Sequence, residues 1–373
     1  MSSKRCLITG GAGFIGAHLA NELLSAGYEV RVMDSLEEQV HGDLYSAPEY
    51  LSKEVELIIG DVRDRRILHR ALRDVDVVYH LAARVGVGQS MYEIKDYTDV
   101  NNVGTATLME ELMENPVEKL IVASSMSIYG EGMYRDAAGF NYDQASRKVE
   151  HLKNGEWELY NDNGAYLQPI PTPENKTPAL ASVYALNKYD QERLCLIAGK
   201  AYDIPTVALR FFNVYGPYQA LSNPYTGVLA IFASRFLNNK APLIFEDGLQ
   251  KRDFVNVKDV ARACRLAMEV AAAQDEVFNI GSGEDYTILE ITRQLQQTLC
   301  KEMIEPQVTG KYRVGDIRHC YADISKARQI LGYQPQIALA EGLEELAAWL
   351  EGQIAIDLVD KASSELAARG LTI

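Results

Sequence analysis

The string Thr9-Gly10-Gly11-Ala12-Gly13-Phe14-Ile15-Gly16 constrains this chain more than any other. It stands between a short apolar run with β character, Arg5–Thr9, and a run with helical spacing, Phe14–Ala26, in which Ile15, Leu19, Leu23 and Leu24 share a face. A strand that turns at once into a helix needs glycine where a side chain would block the turn. Glycine also lets backbone N–H groups close on an anion, and the helix N-terminus adds its positive end. Gly11-x-Gly13-x-x-Gly16 in this setting predicts a loop that cradles the pyrophosphate of a dinucleotide, with Gly10, Gly13, Phe14, Ile15 and Gly16 against it. A second strand, Glu29–Met33, leads into Asp34, about 20 residues further on. A carboxylate there accepts hydrogen bonds from the adenosine ribose and repels a 2′-phosphate, so the predicted cofactor is NAD rather than NADP. Asp61 and Val62 follow a third strand, Leu57–Gly60, on the same sheet edge and are expected at the adenine ring. Asp61 serves equally well, on sequence, as the cap of a helix over Asp64–Leu72.

The rhythm continues. Val75–Leu81 reads as a strand, Val103–Met113 as a helix, Lys119–Ser124 as a strand, Val183–Tyr202 as a long helix and Pro205–Phe211 as a sixth strand. Such alternation predicts an α/β fold of the Rossmann type, a doubly wound parallel sheet with helices on both faces. After Phe212 the order changes: helices over Val228–Leu237, Val260–Val270 and Leu289–Leu299, short strands at Leu243–Phe245 and Val277–Ile280, and two final helices between Ala338 and Leu371 broken near Gln353. We therefore expect residues 1–212 to form the NAD-binding domain. Residues 213–373 form mostly a smaller mixed α/β substrate domain, with segments returning to the first. Residues 131–181 lack periodicity and hold Pro169-Ile170-Pro171-Thr172-Pro173; they are expected to be an insertion that folds over the site, the alternative being a surface excursion without a role.

The 373 residues suffice for one large or two ordinary domains, and 47% of them are apolar. No run of about 18 apolar residues is present, and the start lacks the pattern of a signal peptide, so a cytoplasmic, membrane-free protein is expected. A net charge of −15 argues against broad contact with nucleic acid. The five cysteines are scattered and the six histidines do not cluster, so no metal site is expected, and His80 reads as a packed core residue.

Tyr184 and Lys188, four residues apart, share one face of the long helix. A tyrosine with a pKa near 10 is a poor base at neutral pH, and a neighbouring cation stabilises its phenolate. Ser125 closes the fifth strand, at the carboxyl edge where open α/β sheets bind ligands, and offers a hydroxyl to a reacting oxygen.

With these residues together the chain resembles the extended short-chain dehydrogenases/reductases of the NAD-dependent epimerase/dehydratase family, over almost its whole length. Thr9, Gly10, Gly13 and Gly16 meet that family's T-G-x-x-G-x-x-G. Ser125 falls on its catalytic serine or threonine in Ser124-Ser125-Met126-Ser127-Ile128-Tyr129-Gly130, and Tyr184 and Lys188 fall on its Y-x-x-x-K pair. The resemblance implies that His80-Leu81-Ala82-Ala83, Ser124 and Asn101 (of Asn101-x-x-Gly104-Thr105) lie along the cofactor, with Tyr184 and Lys188 also touching it. It implies that Asn213, in Arg210-Phe211-Phe212-Asn213-Val214-Tyr215-Gly216-Pro217, meets the diphosphate of a nucleotide sugar. Arg252, in Gly248-x-x-x-Arg252-Asp253-Phe254-Val255, would pair with that diphosphate, an arginine fork suiting phosphate. The alternative for Arg252 is a surface ion pair with Asp253 or Asp259. Asp316 and Arg318, in Gly315-Asp316-x-Arg318, resemble a late motif near the nucleotide.

Members of the family oxidise a sugar carbon as a first step, with the tyrosine taking a hydroxyl proton and NAD the hydride. Dehydratases of the family carry acids after the catalytic serine or threonine; Met126 and Ser127 stand there and are expected only to touch substrate. A decarboxylase would need a carboxylated sugar and a pocket arginine for it, for which Arg84 is the candidate; a decarboxylase or a dehydrogenase is the alternative reading. A 4-epimerase needs no further residue. The strings around Ser125, the Trp157–Pro173 insertion, Gln219–Gly227 and Glu365-Leu366-x-x-Arg369-Gly370-Leu371 resemble the epimerases of dTDP-linked 6-deoxyhexoses such as dTDP-L-rhamnose. Similar sequences often hold a cysteine pair in the insertion, whereas Asn161, Asn163 and Gly164 stand here, so no metal knuckle forms. Family members often pair through two helices per subunit, here Val103–Met113 and Val183–Tyr202, so a homodimer is expected. A remaining alternative is an NAD-binding protein without catalysis.

Overall fold

The computed structural model describes residues 3–42, 46–313 and 315–372. Seven strands form one parallel sheet: β1 (Arg5–Thr9), β2 (Glu29–Asp34), β3 (Glu56–Ile59), β4 (Val77–His80), β5 (Lys119–Ser125), β6 (Thr206–Phe211) and β7 (Val277–Ile280). Their spatial order is β7-β6-β5-β4-β1-β2-β3, so the chain winds one way from β1 to β3 and the other way from β4 to β7. The order reverses between β1 and β4, which pair from Cys6↔Val77 to Thr9↔His80, and a crevice opens at their carboxyl ends.

The strands alternate between two buried faces, which fixes the register. Ile8, Val32, Tyr79, Ile121 and Leu209 point into one core with helix α1 (Phe14–Ser25). Leu7, Met33, Val78, Leu120 and Val122 point into the other, against helix α2 (Gly104–Glu114) and helix α3 (Val183–Ala201). Helix α4 (Val257–Glu269) packs on α1, so a segment from the second half of the chain completes the first core. A third core gathers Tyr215, Phe232, Phe236, Phe254, Leu295 and Leu346 beside the crevice. The last helix, α5 (Val359–Ala368), lies across its mouth.

Two expectations are corrected. Residues 131–181 are neither structureless nor folded over the crevice. Met133–Arg135 pairs antiparallel with Asn141–Tyr142 on one side and Gln168–Ile170 on the other, around buried Tyr134, Leu159 and Leu167. Strands of two and three residues are too short to show a period in the sequence. The segment packs against Tyr312 and Asp316, and of its described residues Ala181 alone lines the crevice. Secondly, the helix after β3 is Arg65–Ala71, and its cap is Asp64, whose carboxylate accepts from the N–H groups of Arg66 and Ile67. Asp61 instead binds the Arg63 guanidinium at 2.6 and 2.9 Å.

Candidate active site

The crevice is a cleft of about 770 Å³ running from the glycine loop to the third core. At one end, Gly10 adopts φ +68°, and a Cβ there would stand 2.8 Å from the Ala82 backbone. A Cβ on Gly16 would collide with Gly11 at 2.5 Å, which is why the loop packs so closely on the helix. Gly13 differs: a Cβ would meet nothing nearer than the Gly10 carbonyl at 3.3 Å and would project into the cleft. No side chain caps α1, so the first N–H groups of Phe14, Ile15 and Gly16 have no side-chain acceptor. That is a cradle for a pyrophosphate, and the residues present fit NAD.

Asp34 ends β2 at the cleft wall. One carboxylate oxygen accepts from Ala12 N–H at 3.0 Å and the other from Leu36 N–H at 2.9 Å, which holds the group in place for a ribose. Asp61, Val62, Leu81, Ala82, Ala83 and Ser124 also line the cleft. His80 does not: its ring lies between the hydroxyls of Thr9 and Thr105 at 2.8 and 2.9 Å, and burial lowers its pKa to about 3.

Ser125 ends β5, where its Oγ accepts from Ser127 N–H at 3.1 Å. Tyr184 and Lys188 rise from the first turns of α3, whose start is fixed by the Ser182 hydroxyl accepting from Ala185 N–H. The Tyr184 backbone N–H is held by Ser90 Oγ at 3.0 Å. All three side chains face the cleft. Burial pushes the Tyr184 phenol up to about 12, with the Ser125 hydroxyl pulling the other way. Burial likewise lowers Lys188 to about 8, and its Nζ donates to Gln191 Oε1 at 2.9 Å. Desolvation sets the direction of the Tyr184 shift, which favours the neutral phenol.

Behind β5 lies a pair not foreseen from sequence. Glu192, fully buried, accepts from Ser124 Oγ at 2.7 Å and from two nitrogens of Arg210 at 2.9 and 2.7 Å. It anchors the strand end that carries Ser125. Its only sequence signal is one helical turn's separation from Lys188.

At the far end, Asn213 donates to the Asp253 carbonyl at 2.8 Å beside Met126. Arg252 is held by three carbonyls, of Lys251, Arg318 and Ile317, at 2.9, 2.9 and 2.6 Å. It makes no ion pair with a carboxylate among the described residues, and the alternative partner Asp253 is engaged by the N–H groups of Ser282 and Gly283. Burial lowers the Arg252 pKa. A half-buried guanidinium that faces the cleft and has only carbonyl partners has the chemistry to receive an anion. Asp316 lines the cleft with its carboxylate on Arg313.

Two assigned residues are placed elsewhere. Arg318 is fully buried outside the cleft, bound to Glu158, Glu246 and Asp247 at 2.6–3.0 Å. Asn101 is fully buried in a π-helical turn, Asp99–Val103, and holds the backbone of Arg84 instead of lining the cleft. Sequence reading also missed Gln39, Tyr225, Phe245 and Arg313 in the lining, and one face of α5.

Fold and site together define an α/β enzyme with a dinucleotide cradle beside a Ser-Tyr-Lys set. The family model of the NAD dependent epimerase/dehydratase family matches residues 6–148 and 158–281. The chain belongs to that family, and its cofactor is NAD. It is 35% identical to a dTDP-L-rhamnose 4-epimerase of Burkholderia thailandensis, over 95% of this chain and 97% of that one. It is 30% identical to a putative UDP-glucose 4-epimerase of Methanocaldococcus jannaschii, over 92% and 98%. Among solved structures, a UDP-glucuronic acid 4-epimerase from Bacillus cereus, in complex with UDP-glucuronic acid and NAD, superposes with a TM-score of 0.77 at 29% identity, over 93% of this chain and 99% of that one.

Proposed function

We propose that this enzyme is an isomerase that inverts C4 of a nucleotide-linked 6-deoxyhexose, with dTDP-L-rhamnose as the first substrate to test. The observation that carries this reading is the chemistry around Ser125. Tyr184 is the one acid–base group paired with Ser125, and the two positions after it are a thioether, Met126, and a hydroxyl, Ser127. Water elimination in this family uses a carboxyl group where those residues stand, so the set favours proton exchange at one sugar hydroxyl over dehydration. Arg84 argues against a decarboxylase: its guanidinium meets Glu93 at 3.2 Å and Asp96 at 3.8 Å, so it is already neutralised.

When bound, NAD supplies the reversible hydride acceptor and a positive ring near the phenol. The chain's residues do the rest. The glycine loop and Asp34 hold the dinucleotide, Arg252 and Asn213 hold the sugar diphosphate, and Ser125 orients the reacting oxygen. As the phenolate, which the neighbouring Lys188 cation and bound NAD would stabilise, Tyr184 accepts the sugar hydroxyl proton and later returns it. The working form is a homodimer in the cytoplasm: Leu186 and Ile197 on α3 are 51% and 61% exposed, and Val103 beside α2 is 49% exposed, an apolar surface suited to a second copy. No described helix is long and apolar enough to cross a membrane.

The test is product NMR on a panel of nucleotide sugars. The expected result is a C4-inverted sugar with no net formation of NADH; steady accumulation of NADH during conversion would overturn the epimerase reading in favour of a dehydrogenase or decarboxylase.

A further inference from the structure

Helix α5 contributes a wall to the cleft, and the resemblance strings give that wall no role. Val359, Ala362, Ser363 and Leu366, spaced at i, i+3, i+4 and i+7, all line the cleft, while Asp360, Lys361, Glu365 and Arg369 do not. Both ends of the helix are pinned. At its start Arg235 bridges Asp357 and Asp360 at 3.1 and 2.8 Å. Near its end Glu365 accepts from the hydroxyls of Tyr225 and Tyr92 at 3.1 and 3.3 Å, and the Arg369 guanidinium lies 4.2 Å over the Tyr92 ring. A surface helix needs no such double fixing unless its inner face is used.

The inner face reaches the catalytic end. A Cβ on Gly88 would stand 3.4 Å from both methyls of Leu366. Two residues on, Ser90 holds the Tyr184 backbone. Leu366, 5% exposed, thus lines the cleft against the Val87–Ser90 segment, whose Ser90 holds the Tyr184 backbone.

We infer that Leu366 sets specificity for the sugar's C5 substituent, accepting the methyl group of a 6-deoxyhexose and disfavouring a hydroxymethyl or carboxylate. The inference rests on the sugar-nucleotide reading above and names its substrate class. A methyl gains apolar contact on this wall; a hydroxyl buried there finds no partner on Leu366 or Ala362. Discrimination of this kind amounts to a factor on the order of ten to a hundred.

The experiment compares kcat/KM for dTDP-L-rhamnose and for the dTDP-linked hexose that differs only by a hydroxyl on C6. The native enzyme is expected to prefer the 6-deoxy sugar. Leu366→Ser is expected to shrink the preference at least about tenfold, mainly through KM, with bound NAD and circular dichroism unchanged, while Leu366→Met keeps it. An unchanged preference in a folded, NAD-loaded Leu366→Ser enzyme overturns the inference. Should that variant fail to fold, Ala362→Ser, one turn away on the same face, is read by the same ratio. If the native enzyme turns over neither dTDP sugar but inverts a UDP sugar, the nucleotide assignment falls; the ratio is then measured on the corresponding UDP pair, where preference for the hydroxymethyl sugar overturns the role of Leu366.

Discussion

The carboxamide of Asn101 grips the backbone of Arg84 from both sides, accepting its N–H at 2.7 Å and donating to its carbonyl at 3.1 Å. Asn101 sits in the π-helical turn before α2, and Arg84 follows the Leu81–Ala83 wall of the cleft. The pair ties the cofactor wall to a rigid helix. Asn101→Ala leaves two backbone groups without their partner in the interior, at a cost of about 1–3 kcal/mol. Denaturant unfolding should show that loss. NAD content after purification should fall, whereas kcat at saturating NAD changes less than about tenfold, because no reacting group is removed.

Tyr184→Phe removes the group proposed to exchange the sugar proton. Turnover should drop by about 10²–10⁴-fold or more with NAD still bound, as read by product NMR and by the nucleotide released on denaturation. A fully active variant would exclude Tyr184 as the base, and with it the mechanism.

Lys188 gives a pH signature. Its pKa falls from an ordinary 10.5 to about 8 on folding because burial disfavours the charged form. Between those values the unfolded chain binds the extra proton, so the folded state gains stability as pH rises from about 8 to 10.5; below pH 8 both states are charged and the desolvation cost is carried in full. The shift corresponds to roughly 3 kcal/mol at 1.36 kcal/mol per unit. Lys188→Met in nucleotide-free protein should therefore melt higher than the native enzyme at pH 7, with the advantage shrinking toward pH 10.5, while catalysis is lost. A lower melting temperature at pH 7 would contradict the buried-charge account.

The two arginines assigned to substrate should separate cleanly. Arg318 is wholly enclosed by Glu158, Glu246 and Asp247. Arg318→Ala strands those carboxylates and should cost about 3–5 kcal/mol of stability. Arg252 has carbonyl partners and a cleft in front of it. Arg252→Ala frees three carbonyls but also removes a desolvated charge, so it should lower the melting point less than Arg318→Ala does and raise KM for the sugar nucleotide at least about tenfold, the loss of one charge-assisted contact. Thermal melts and initial rates on both variants check the contrast.

The difference between these arginines marks where sequence reading stops. The glycine loop, Asp34 and the Tyr184–Lys188 pair were legible because their chemistry is local: a turn, a strand end, one helical turn. So were the strands of the main sheet, each long enough to show an apolar run. Arg318 was not, since its partners lie at 158, 246 and 247 and nothing near it in the chain announces them. Asn101 was assigned to the right neighbourhood but the wrong contact, because a spacing pattern does not say which side of a backbone an amide grips. The hairpins within 131–181 were too short to carry a period. The last helix was legible as one of two between Ala338 and Leu371, but not that one face of it lines the cleft, which depends on how the chain returns across it.

Asp34 offers the last test, of cofactor choice. Its two oxygens are engaged by Ala12 and Leu36 N–H groups, so the carboxylate is fixed, and its charge stands at the cleft wall where a 2′-phosphate would approach. Fixing matters because a mobile carboxylate could swing aside, whereas this one cannot without abandoning two hydrogen bonds worth about 1 kcal/mol each. The native enzyme should thus bind NAD well ahead of NADP. Asp34→Asn removes the charge while its amide oxygen still accepts one of the two N–H bonds, and the NADP-to-NAD affinity ratio should rise at least about tenfold, equivalent to 1.4 kcal/mol. Titration calorimetry with both nucleotides measures it. Native protein that holds NADP as tightly as NAD would show that Asp34 does not select the cofactor.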